Sequence, residues 1–194
     1  MKKILVLVLV LALMSGLVSC NSDDTIASLT QTTIGTIYNA VIKSDREYAE
    51  EKISAVVEAI NKGDMSVLAS LFAKNAQNDT PDFDESVKEL LDFIEGDIVE
   101  YNLQKAPDIR ERKHYEQRSK QMWYTFSIDT SSKKYYVYLS EYLINQFDPS
   151  EEGINLLFII DAENWQKENY IYGPYDHNKF GITIDRNVYT EESK

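Results

Sequence analysis

The feature that most constrains the fold of this chain is a change of hydrophobic period at Gly96. Before it, apolar residues recur at helical spacing; after it, they alternate. Ser44-Asp45-Arg46-Glu47 has the form of a capping box, in which the Ser hydroxyl takes the N3 amide and Glu47 reaches back. The helix that follows carries Ile53, Val56, Val57 and Ile60 on one face and stops at Gly63. Asp64 is placed to cap a second helix with Val67, Leu68, Leu71 and Phe72 apolar. Asp82-Phe83-Asp84-Glu85, after Pro81, opens a third with Val87, Leu90, Leu91 and Ile94, ending at Gly96.

Residues 98–105 then read as a strand. Residues 121–129 place Met122, Tyr124, Phe126 and Ile128 on one face and Trp123, Thr125 and Ser127 on the other. Thr130-Ser131-Ser132 is a turn, 135–147 a long strand, and 148–153 a turn rich in breakers. Residues 154–161 form an apolar strand buried on both faces, and 180–184 a last short strand. Helices first, then an antiparallel meander, predicts α+β: three helices on one face of a curved antiparallel sheet of four to five strands.

The N-terminus predicts location. Lys2 and Lys3 form a positive n-region, and residues 4–14 an apolar stretch too short to span a bilayer. Leu17-Val18-Ser19-Cys20 resembles the lipobox of bacterial lipoproteins, in which the cysteine thiol takes a diacylglycerol and becomes the new N-terminus. The resemblance implies a signal peptide at 1–19, lipidation at Cys20, and a chain anchored on the extracytoplasmic face of the cell membrane. Two acyl chains satisfy the requirement for stable anchoring. Asn21 after Cys20 leaves open which membrane holds the chain. Cys20 is the only cysteine, so the anchored protein would have no disulfide, no cysteine metal site and no thiol nucleophile.

Residues 21–33, rich in Ser, Thr and Asp, read as a tether. Ile34, Ile37, Tyr38, Val41 and Ile42 suggest a short helix within the 20–43 segment. The domain proper is expected at 44–186 and a frayed tail at 187–194. The chain holds 20 Lys and Arg against 32 Asp and Glu, and loss of Lys2 and Lys3 would carry its net charge from −12 to about −14. Such a balance argues against nucleic acid as a partner. One stretch runs the other way: Lys105, Arg110, Arg112, Lys113, His114, Arg118 and Lys120. A contact for an anionic wall polymer or headgroups is one reading. A solvated hairpin, diluted by Asp108, Glu111 and Glu116, is the preferred one.

Two strings carry a further resemblance. Asn61-Lys62-Gly63-Asp64 followed by Leu68-Ala69-Ser70-Leu71-Phe72-Ala73 is similar to the helix-one to helix-two junction of the nuclear transport factor two-like, or cystatin-like, cone. Lys133-Lys134-Tyr135-Tyr136, the 148–154 turn and Phe180-Gly181-Ile182 resemble a small family of lipoproteins known only as a domain of unknown function, found mostly in Gram-positive anaerobes. The resemblance implies a cone over roughly residues 45–184 and transfers no catalytic residue. Enzymes of the wider superfamily keep their site inside the cone, while many members only bind ligands or dimerise, so fold does not settle function.

Candidate chemistry therefore rests on the long strand. If its odd positions face inward, Glu141 is a carboxylate among apolar groups, with Tyr124 and Tyr135 sharing its pocket. A bulged strand, with Glu141 facing water or paired with a lysine, is the preferred alternative. Trp123, Tyr136, Tyr138 and Tyr142 could form an aromatic interface for a sugar, a peptide or a second copy of the chain. Cross-strand packing explains them more simply. His114 and His177 lack metal-ligand spacing, and helix capping accounts for the acidic run 79–85 better than calcium does. No phosphate-binding glycine loop, Gly-x-Ser-x-Gly or His-Glu-x-x-His motif is present, and no metal or cofactor is expected. The favoured expectation is a non-catalytic lipoprotein that binds an unknown small molecule or surface protein, as a single chain or as a homodimer. The alternatives are an enzyme with Glu141 as general acid or base, and an envelope assembly factor.

Overall fold

A computed structural model describes residues 43–164 and 180–185. The leader, Cys20, the tether, the 34–42 helix, His177 and the 187–194 tail lie outside the described residues. The chain divides into a unit ending at Ser44 and one beginning at Asp45, and every element below belongs to the second.

Among the described residues, four α-helices precede the sheet: α1 Asp45–Lys62, α2 Met65–Ser70, α3 Lys74–Asp79 and α4 Phe83–Phe93. Helix α1 buries Ile53, Val56 and Val57 of the expected stripe, packs Ile60 half-buried against the core, and also buries Ala49 and Ala59. It ends in a Schellman motif: Gly63 takes φ +60°, its N–H donates to Ile60 O at 2.9 Å, and Asp64 N–H donates to Ala59 O at 3.0 Å. The Asp64 carboxylate then accepts from Val67 N–H at 3.0 Å and caps α2.

The expected second helix is cut short. Leu71, Phe72 and Ala73 leave it to pair with the start of β5, where Ile154 N–H donates to Leu71 O and Ala73 N–H donates to Ile154 O. Helix α3, absent from the expected set of three, follows. Gln77 fastens it by donating to Phe72 O and to Ala69 O, which also accepts from Phe72 N–H at the end of α2. At the head of α4, Asp82 sits at φ 50° and makes no side-chain cap bond, so the expected box is not formed there. Val87 and Leu90 of α4 are buried as its spacing predicts, Leu91 and Ile94 are half-buried, and Phe83 joins the core as well.

Within the described residues the sheet has six strands: β1 Ile98–Leu103, β2 Asp108–His114, β3 Gln117–Thr130, β4 Lys134–Asn145, β5 Gly153–Asp161 and β6 Gly181–Asp185. The order is β1-β3-β4-β5-β6, and β2 shares the edge of β3 with β1. The fold is α+β, with two departures from the expected four-to-five-stranded meander. The basic segment supplies β2, a hairpin partner of β3 through Tyr115 and Glu116. Strand β6 runs parallel to β5, from Leu156 opposite Gly181 to Ile160 opposite Asp185. One face of the sheet packs on the helices through Met122, Tyr124, Phe126, Ile128, Val137, Leu139, Leu157 and Ile159. A second cluster, Tyr138, Leu156, Phe158 and Ile160, forms on the other face.

Candidate functional site

Alternation along β4 turns Tyr135, Val137, Leu139 and Glu141 toward the helices, and all four are buried. Three belong to the core, while Glu141 is a carboxylate with 1% of its surface exposed. A charge so placed is costly unless both oxygens find partners. They do. Tyr124 Oη donates to Glu141 Oε1 at 2.9 Å, and Lys52 Nζ lies 3.2 Å from Oε2.

The local sheet explains this meeting. Met122 is opposite Glu141 and Tyr124 opposite Leu139, so Tyr124 is the diagonal neighbour of Glu141, within reach of a long side chain. Lys52 comes from α1, one residue before the core position Ile53. Burial, the Glu141 charge and the hydrogen bond it donates all push the Tyr124 hydroxyl far above its usual range. It therefore stays protonated and acts as a donor.

Bulges flank Glu141. Lys120 pairs with Ile144 and Gln121 with Tyr142, which leaves Leu143 as an extra residue on β4. Ser140 pairs with Leu156 and Glu141 with Ile154, which leaves Asn155 as an extra residue on β5. Gly153, at φ +116°, starts β5 so close to the 71–73 segment that a Cβ there would lie 3.0 Å from Ala73 N. An open cleft of about 460 Å³ results, walled by Tyr48, Lys52 and Ala55 of α1, by Leu71, and by Glu152 and Gly153, with Glu141 among its lining. Its size falls within the range of small-molecule sites.

Tyr135 does not join this group. It lies six residues up the strand, roughly 20 Å away at 3.3 Å per residue. Its hydroxyl accepts from Glu95 N–H at 3.0 Å and donates to Phe93 O at 3.2 Å, fastening β4 to the end of α4. Glu141 and Tyr124 therefore share a site and Tyr135 does not. Lys52, which sequence reasoning missed, completes the site; its signal was a lysine set against the apolar stripe of α1.

The four aromatics named for an interface do not form one exposed face. Tyr138 is buried with Leu156, Phe158 and Ile160, and Trp123 and Tyr136 pack half-buried against that cluster. Tyr142 stands nearer the bulges and lines the cleft. His114 ends β2 with its ring 4.4 Å from that of Tyr115. Among the described residues, no three His, Cys, Asp or Glu side chains are grouped to hold a metal ion.

The family described as a domain of unknown function (DUF5104) matches residues 55–162. The chain belongs to that family. No curated protein matches it. The DUF5104 span starts within α1 and ends just after β5, so it contains Tyr124, Glu141, both bulges and Gly153. Lys52 and β6 fall outside it.

Proposed function

We propose that this DUF5104 protein is a lipid-anchored, extracytoplasmic binding protein whose cleft over Glu141 holds a small ligand. The observation that carries the reading is the buried Glu141 carboxylate, held by Tyr124 and Lys52 in the lining of an open cleft. In this reading the leader at 1–19 is removed, diacylglycerol on Cys20 anchors the chain, and residues 20–43 form the tether. Helices gathered on one face of the sheet support reading the fold as a cystatin-like cone, with the cleft at its inner face. Glu51 and Glu152 on the walls, with the rings of Tyr48 and Tyr142, suit a ligand that brings hydrogen-bond donors or an amine.

Binding is favoured over catalysis because both Glu141 oxygens are engaged and Tyr124 is held as a donor. A general base needs a free lone pair aimed at substrate. The test is a thermal-shift screen of the full lipidated chain against polar metabolites, run beside Glu141→Gln. A ligand at one hundred times its Kd stabilises by about 2.7 kcal/mol, which corresponds to roughly 5–10 °C in Tm for a chain of this size. The reading expects such a shift in the wild type and its loss in the variant. Equal shifts in both would place the ligand elsewhere. In parallel, Cys20→Ser should move the protein from the membrane fraction to the soluble fraction; retention on the membrane would contradict the anchor.

A further inference from the structure

The basic hairpin contains a second cleft, which meets the one over Glu141 at Tyr142, a residue that lines both. Among the described residues strand β2 pairs only with β3, and its register sets Arg110 opposite Gln121 and Arg112 opposite Ser119. Gln121 in turn lies opposite Tyr142 of β4, and Ser119 opposite Asn145. Paired residues share a face of the sheet. Two rows of three side chains therefore cross three strands side by side. Beyond them Phe147, Asp148 and Glu151 close the end of a cleft of about 220 Å³.

The charges in this cleft differ in their commitments. Asp148 Oδ1 accepts from Ser150 N–H and Ser150 Oγ, and Glu151 Oε2 accepts from Asn145 Nδ2 at 2.6 Å. Elsewhere on the hairpin, Lys105 is paired with Asp108, and Lys120 with Asp45 and Glu111. Arg110 and Arg112 have no carboxylate partner among the described residues. Arg112 lies over the Phe147 ring, 4.8 Å from its centroid, which braces one face of the guanidinium and leaves its N–H edge open. Both guanidiniums act on the Tyr142 hydroxyl, opposing the upward push of burial, so their charge is directed into the cleft.

We propose that this cleft binds a small oxyanion, the phosphate or carboxylate of a molecule that also carries hydroxyl or amine donors. Arg110 and Arg112 take the anion, and Tyr142 and Gln121 supply polar contacts beside it. Guanidinium forks match the geometry of both anions. Asp148 and Glu151 on the far wall accept from the donors. The volume is below the roughly 300–1,000 Å³ of sites that enclose a drug-sized ligand, so it suits a single headgroup. A chain with net charge −12 repels an extended polyanion along its length. A small anion senses only charges within the Debye length of about 8 Å.

The test titrates the full chain in detergent micelles at constant ionic strength and follows the arginine side-chain Nε–H signals by NMR. The probes are inorganic phosphate, glycerol 3-phosphate, glycolate and poly(glycerol phosphate). The expected result is saturable movement of the Arg110 and Arg112 signals, with Arg46 and Arg118 unmoved, by glycerol 3-phosphate, glycolate or both. Whichever saturates names the anion. Arg112→Gln, an exposed position whose substitution leaves the fold intact, should weaken binding about tenfold, the scale of one charge-assisted hydrogen bond. Uniform drift of all arginines, no saturation at millimolar concentrations, or unchanged affinity in Arg112→Gln would overturn the proposal. So would tenfold tighter binding per phosphate by the polymer than by glycerol 3-phosphate, which would assign the cleft to a surface polymer.

Discussion

Replacing Lys52 by Met leaves the Glu141 carboxylate, 1% exposed, with Tyr124 as its remaining partner among the described residues. At the observed 3.2 Å, opposite unit charges attract by about 5 kcal/mol at an effective dielectric of about 20. Desolvation of both groups offsets much of that. Breaking a fully buried pair from one side costs about 3–5 kcal/mol. The Lys52 side chain is 24% exposed, so water from the cleft can replace part of the ammonium. The expected loss for Lys52→Met is therefore about 2 kcal/mol. Glu141→Gln keeps the shape and an acceptor for Tyr124, and it strands only a lysine that can hydrate, for about 1 kcal/mol. The double variant removes both charges, and its loss should fall short of the sum by roughly 1–1.5 kcal/mol. Urea unfolding reads all three; with slopes of about 1–3 kcal/mol/M, Lys52→Met should move the midpoint by about 1 M. A Lys52→Met loss below about 0.5 kcal/mol, or additivity within that margin, would refute the claim that the lysine holds the carboxylate.

Three further outcomes are expected. Gly153→Ala combines φ +116° with a Cβ 3.0 Å from Ala73 N and 3.1 Å from Leu71 O, so it should cost about 2–3 kcal/mol in a denaturant melt. Tyr135→Phe strands Glu95 N–H and Phe93 O at the join of α4 and β4 and should cost about 1.5 kcal/mol, read as a Tm drop with the cleft's ligand affinity unchanged. Burial raises Tyr138 to about 12 from 10.0, so the folded state keeps a proton that the unfolded chain releases. Stability should be full below pH 10 and fall as pH rises from there toward 12. The loss should be about 2 kcal/mol, and Tyr138→Phe should flatten that part of the stability–pH curve.

Much of this arrangement is legible in the residues. The stripe Ile53, Val56, Val57 and Ile60, the stop at Gly63 and the Asp64 cap are local signals, and local physics realises them. Alternation on β4 likewise turns Glu141 inward. Helix α3 escapes because Lys74–Asp79 buries only Ala76 and has no apolar period. The basic segment forms the solvated hairpin expected of it, but β2 is missing from the expected sheet strands because an edge strand exposed along nearly its whole length shows no alternation. The parallel run of β6 depends on a connection, not on its own residues. The site is less legible than the fold. The expected bulged strand with a lysine partner for Glu141 names neither the lysine nor the bulged residues, because Lys52 reaches Glu141 from a separate element and the extra residues Leu143 and Asn155 are set by the strand registers. Tyr135 shows the converse: it shares a face with Glu141 but lies too far up the strand to share its cleft.

The most direct test of a ligand site over Glu141 is native mass spectrometry of the lipidated protein extracted gently from its own membranes. A binding protein should carry a small non-covalent mass that is present in the wild type, lost on mild activation, and absent from Glu141→Gln. Wild type and variant with the same bare mass, or carrying the same adduct, would contradict a ligand held over Glu141.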